Sequence, residues 1–217
     1  MELLLTHVQP WRLPLPVRGE SVRGRLGRLE LVLERGRGGF ALLCLDGQQA
    51  RSWSLGLVDG GELWLSCRVP RWPLRIALKD TLVLVPGARV RGYVHVALVP
   101  TLTWRAADGE EATVAELLPP LLSAEWDEAH GTCTQRWSSP FFQRLPPNDG
   151  EPRAVLPLTI RNSGNRMQSP ETLPVSLRDQ ELKPCRGHVV AAPRRLRIDA
   201  RGTIEVLVRS HRLEPHT

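Results

Sequence analysis

Two short stretches carry soft ligand types at the spacing a metal ion needs. His130-Gly-Thr-Cys133 and Cys185-Arg-Gly-His188 each place two such residues three positions apart, so that one turn can aim both at a single ion. Together, His130, Cys133, Cys185 and His188 would supply the two thiolates and two imidazoles of a tetrahedral zinc site. Four protein ligands leave no open position for water or substrate, so such a zinc would stabilise a module rather than catalyse. The competing reading is two unrelated loops, each with a buried cysteine and an exposed histidine. No cofactor other than this zinc is expected.

Arginine is the second chemical signal. The chain carries a net charge of +6 with a pI near 9.9, and every basic residue except Lys79 and Lys183 is arginine. Arg194, Arg195, Arg197 and Arg201 cluster near the C-terminus, and Arg23, Arg25, Arg28, Arg35 and Arg37 near the N-terminus. Arg195 and Arg197 alternate with Leu196 and Ile198, which predicts a strand with guanidinium groups on its solvent face. Arg194, Arg195, Arg197 and Arg201 are therefore the candidate anion- or partner-binding residues, because planar guanidinium binds carboxylate and phosphate bidentately. A merely solvated strand face would give the same pattern. Arg35-Gly-Arg-Gly-Gly39 resembles a nucleic-acid-binding Arg-Gly element, but its place between two strands makes a hairpin loop the plainer expectation. An acidic middle (Asp108, Glu110, Glu111, Glu116, Glu125, Asp127 and Glu128) is opposed only by Arg105.

Catalytic motifs are missing. No GxxxxGK[ST] or GxGxxG loop occurs, no G-x-S-x-G elbow, and no serine or cysteine stands in a nucleophile motif. The expectation is a protein that is not an enzyme.

The elements that must position these residues are strands. Leu29, Leu31 and Leu33 alternate with Arg28, Glu30 and Glu34; Val90, Gly92, Val94 and Val96 alternate with Arg91, Tyr93 and His95. Leu74–Leu78, Leu156–Ile160, Leu173–Leu177 and Ile204–Val208 repeat the pattern. Asp46-Gly47, Asp59-Gly60-Gly61, Pro86-Gly87, Asp108-Gly109 and Asp149-Gly150 supply the reversals between them. One short helix is predicted over Glu110–Leu118, stopped by Pro119-Pro120. The predicted fold is all-β: two packed immunoglobulin-like β-sandwich subdomains, 1–118 and 153–212, joined by a proline-rich connection, 119–152, held down by Trp126, Trp137, Phe141 and Phe142. No apolar run approaches the ~20 residues that span a bilayer, and Met1–Leu5 is too short for a signal-peptide core. The four scattered cysteines read as reduced thiols. A cytoplasmic protein, at most peripheral at the inner face of the membrane, is expected.

One longer stretch has a recognisable build. Trp72–Trp104 (WPLRIALKDTLVLVPGARVRGYVHVALVPTLTW), followed by Trp137–Leu145 (WSSPFFQRL), Ala154–Asn162 (AVLPLTIRN) and Leu173–Leu182 (LPVSLRDQEL), resembles domain-of-unknown-function family number 432 from about Leu26 to Arg209. The resemblance implies an all-β, mainly archaeal family with no assigned activity and no catalytic residues to carry over. Its genes often lie beside those of small-conductance mechanosensitive channels, which implies an accessory subunit docking on a channel's cytoplasmic domain. The alternatives left open are a basic nucleic-acid-binding protein and a zinc-stabilised module.

Overall fold

The computed structural model describes residues 2–3, 10–47, 49–56, 60–119, 122–127 and 131–207. In chain order the strands are β1 (Glu2–Leu3), β2 (Trp11–Leu13), β3 (Ser21–Leu26), β4 (Leu29–Arg35), β5 (Phe40–Asp46), β6 (Gln49–Leu55), β7 (Glu62–Arg68), β8 (Leu74–Leu78), β9 (Arg89–Ala97), β10 (Val99–Arg105), β11 (Glu111–Glu116), β12 (Ser123–Asp127), β13 (Thr132–Ser139), β14 (Arg153–Asn162), β15 (Thr172–Val175), β16 (Lys183–Cys185), β17 (His188–Val190), β18 (Arg194–Ile198) and β19 (Ile204–Leu207). They form four sheets. Sheet I has the order β1-β3-β4-β5-β6, sheet II β11-β10-β7-β2, and sheet III β12-β13-β8-β15. Sheet IV runs β16-β17-β14-β18-β19, with β9 on the other side of β14.

Period-two patterning explains the packing. Leu29, Leu31 and Leu33 of β4 are buried, as are Leu42 and Cys44 of β5 beside them, and Val94, Val96, Leu156 and Ile160 line the inner face of sheet IV. The inward faces of all four sheets feed one continuous apolar core. The chain is an all-β, sandwich-like protein. At the expected reversals Gly47, Gly60, Gly87, Gly109 and Gly150 all have positive φ, which only glycine adopts without strain.

Three expectations are corrected. Glu110–Leu118 is not a helix; its central residues are strand β11, antiparallel to β10. The Asp108-Gly109 turn folds the chain back at once, with Gly109 N–H on the Ala106 carbonyl (3.0 Å) and Glu110 N–H on Asp108 Oδ1 (3.1 Å). The β10 edge then satisfies the backbone, and Ala115 and Leu117 are buried at a spacing of two. The only helical turn among the described residues is a 3-10 turn, Asp179–Glu181. Second, the 119–152 stretch holds two strands, β12 and β13. Trp137 is buried and Phe141 half-buried, but Trp126 stands 66% exposed on the edge strand β12.

Third, a division at 118 and 153 does not follow the sheets. β9 pairs with β14 along nine residue pairs from Arg89↔Arg161 to Ala97↔Arg153, and β8 pairs with both β13 and β15. Sheets III and IV are thus shared between the expected halves. Leu98, wholly buried with its N–H on the Pro152 carbonyl (2.9 Å), carries the chain from β9 in sheet IV to β10 in sheet II.

Candidate anion-binding face

Residues opposite one another in a sheet share a face, so the register of sheet IV decides which side chains meet. Across β9, β14, β18 and β19 one row reads Arg91–Thr159–Arg195–Leu207 and the next Arg89–Arg161–Arg197–Glu205. All five arginines are exposed. Neighbouring strands lie ~4.8 Å apart and alternate residues ~6.6–6.8 Å apart, so the Cα atoms of the five arginines fall within a patch roughly 10 Å across. Arg197 is bound to Glu205 (Nη2 to Oε2, 2.5 Å). Among the described residues, Arg89, Arg91, Arg161 and Arg195 have no ion pair.

The same face changes character along the strands. Its far end is covered: His95 is buried beneath the Phe142 ring, with centroids 4.9 Å apart, and opposite it lies buried Val155. The cover is stitched to the free edge of β9 by a reciprocal pair of backbone bonds between Tyr93 and Phe142 (2.8 and 2.9 Å). Gly92 makes this possible, since a Cβ there would stand 2.5 Å from both Phe141 Cζ and the Phe142 carbonyl oxygen. Burial pushes the His95 imidazole down to about 4, helped by the charges of Arg153 and His188. His95 is therefore neutral at neutral pH.

Between the covered end and the arginines lies a cavity of about 210 Å3, lined by Arg91, Tyr93, Gln143, Pro157, Thr159 and Pro193 among others. It opens where the edge of β14 changes partner. β17 pairs with it at Val155 and β18 only from Leu158 onward. Pro157, which has no N–H for a ladder, occupies that gap.

The expected site residues meet different fates. Arg195 and Arg197 stand on this face as predicted. Arg194 points to the other side, its Nη2 binding Glu181 Oε2 (2.6 Å) and the Ser176 carbonyl (2.9 Å), so it braces the fold. Arg201 lies in the exposed β18–β19 turn, off both rows. In the Arg35–Gly39 stretch, Arg35 ends β4 opposite Phe40 and residues 36–39 form the hairpin loop to β5, closed by Gly36 N–H on the Gly39 carbonyl (2.9 Å). Of the N-terminal arginines, Arg23 pairs with Glu30, and Arg28 with Asp46 (2.9 Å) and Glu151.

His130 lies outside the described residues. Cys185 and His188 do come together, as the closing pair of the β16–β17 hairpin, whose two turn residues Arg186 and Gly187 both have positive φ. Cys133 belongs to β13 in sheet III. Among the described residues no three His, Cys, Asp or Glu side chains gather as metal ligands would, so the three described members of the expected zinc set do not assemble.

Arg89, Arg91, Arg161, Tyr93 and Thr159 were not among the expected site residues. The outward alternation of Arg91 and Tyr93 was readable; their adjacency to Thr159 and Arg195 depends on strand pairing. Among the described residues no helix is long and apolar enough to cross a membrane. The chain matches no family model, no curated protein and no solved structure.

Proposed function

We propose that the chain is a non-enzymatic accessory subunit that docks an acidic partner on the outer face of sheet IV. The observation that carries the reading is the pair of adjacent rows in which Arg89, Arg91, Arg161 and Arg195 stand exposed with no ion pair to a carboxylate among the described residues. Like charges placed side by side destabilise a sheet, so a fold that keeps them is balanced by an anion that arrives from outside. Guanidinium rows suit carboxylate-rich protein surfaces and phosphates alike. The resemblance to family 432 makes the cytoplasmic domain of a small-conductance mechanosensitive channel the partner to test first.

The test is affinity capture of the tagged protein from its native membranes in mild detergent, after nuclease treatment, with captured proteins identified by mass spectrometry. Wild type is expected to retain the channel, and an Arg89→Glu/Arg161→Glu variant to lose it. Equal capture by both proteins, or no channel with either, refutes the reading. A second reading, nucleic-acid binding, is favoured by Tyr93 beside the arginine rows, since an aromatic platform next to cationic groups is how single strands are held. It predicts retention that nuclease abolishes and that falls steeply with salt.

A further inference from the structure

The outer face of sheet IV is graded along its strands in a way that a uniform acidic surface does not require. First comes an apolar wall of Tyr93 and Pro157, facing Pro193 across the partner gap in β14. One strand repeat further, ~6.6–6.8 Å along, is the row Arg91–Thr159–Arg195, where two guanidinium groups flank a hydroxyl. One more repeat brings Arg89–Arg161–Arg197, where, among the described residues, only Arg197 has an ion pair. Gln143, at the lip, offers an amide able both to donate and to accept hydrogen bonds.

The cavity of about 210 Å3 is smaller than the ~300–1,000 Å3 that encloses a whole drug-sized ligand. It suits one flat ring system, leaving the rest of the molecule on the open arginine rows. A ring stacked on Tyr93 and the two prolines, a polar ring edge read by Gln143, a linker one strand repeat long and then a string of anionic groups together describe a nucleotide. A plain polyphosphate or an acidic peptide would use the arginines and leave the ring wall empty. A sugar phosphate would set hydroxyls against the proline wall.

We propose that this face binds a nucleoside triphosphate. Its base sits in the Tyr93–Pro157–Pro193 cavity, its first phosphate on Arg91, Thr159 and Arg195, and its terminal phosphate on Arg89 and Arg161, so that the nucleotide competes with the acidic partner. The inference rests on the reading of the face as the docking surface, since it adds a regulator to that same site.

Titration calorimetry of the full chain with ATP, inorganic tripolyphosphate, adenosine and oligothymidylate, each at low salt, tests it. ATP is expected to bind at least tenfold more tightly than tripolyphosphate or adenosine. Tyr93→Ala should erase the preference over tripolyphosphate while leaving tripolyphosphate binding unchanged, and Arg91→Gln should weaken both. Thr159→Val, which keeps side-chain shape, should weaken ATP several-fold without lowering the unfolding midpoint. Equal binding of ATP and tripolyphosphate, ATP binding indifferent to both Tyr93→Ala and Thr159→Val, or oligothymidylate binding tighter than ATP through Tyr93 each overturns the nucleotide assignment. Partner capture separates the two failures. If capture depends on Arg89 and Arg161 but ATP neither binds nor competes, docking stands and the nucleotide falls. If capture ignores these arginines, docking itself falls.

Discussion

Arg161→Gln is expected to make the isolated protein more stable while making it a poorer binder. Arg161 lies directly opposite Arg89 across the antiparallel β9–β14 pair, where such residues set their Cβ atoms ~4.5–5.5 Å apart, and beside Arg197 across the parallel β14–β18 pair. Cross-strand pairs contribute roughly 0.2–1 kcal/mol each, and directly opposed like charges act with unfavourable sign. Arg197 is largely answered by Glu205 at 2.5 Å, so most of the repulsion comes from Arg89, with a smaller share from Arg91 and Arg195 on the diagonals. Removing the central charge should gain about 0.5–1 kcal/mol at low ionic strength. For a chain of 217 residues that is a rise in unfolding midpoint of roughly 1–4 °C. In 1 M salt, where the screening length is ~3 Å, the gain should vanish.

Differential scanning calorimetry at low and high salt, in parallel with partner capture, measures both halves of the claim. A lower midpoint for Arg161→Gln would mean that the side chain braces the fold. A rise that persists in 1 M salt would mean that the effect is not electrostatic. Either outcome removes the argument that the arginine rows await an external anion.

Three further outcomes follow from the geometry around this face. Gly92→Ala should destabilise by about 1–3 kcal/mol through overpacking, because its Cβ would stand 2.5 Å from Phe141 Cζ and the Phe142 oxygen; thermal unfolding reads the loss, and an unchanged midpoint refutes the role given to Gly92. His95, held at about 4 when folded against ~6.5 when unfolded, contributes stability that is complete above pH 6.5 and lost as pH falls toward 4, by about 2–3 kcal/mol; denaturant titrations from pH 7 to 4 should show that slope, and His95→Gln should flatten it. Arg28→Ala leaves the buried Asp46 carboxylate, whose Oδ2 has no hydrogen-bond partner among the described residues, without its cation, and should cost about 1–2 kcal/mol given how exposed Arg28 is; Arg28→Met combined with Asp46→Leu should cost less than the sum of those two single changes, and strict additivity in that double-mutant cycle would sink the pairing argument.

Period and turn chemistry made much of the fold legible from the chain. Alternation determined that Leu29, Leu31 and Leu33 turn inward, that Arg91 and Tyr93 turn outward, and that the Asp-Gly and Pro-Gly pairs reverse the chain, because these depend on neighbours one or two residues away. The departure of Glu110–Leu118 from the expected helix has the same reason. The local composition suits a helix, but the β10 edge lies within reach after the short turn through Asp108-Gly109 and offers the backbone a ladder. Pairing between distant segments was invisible: nothing near Arg89 announces Arg161, and nothing near Cys185 separates it from Cys133. A period of two tells which side a residue faces but not which strand lies beside it, since that is decided by the joint burial of faces far apart in the chain. Local sequence thus determined the exposure of the arginines, whereas tertiary pairing gathered Arg89, Arg91, Arg161 and Arg195 on one face, turned Arg194 onto Glu181, and opened the Tyr93 cavity where β14 exchanges β17 for β18.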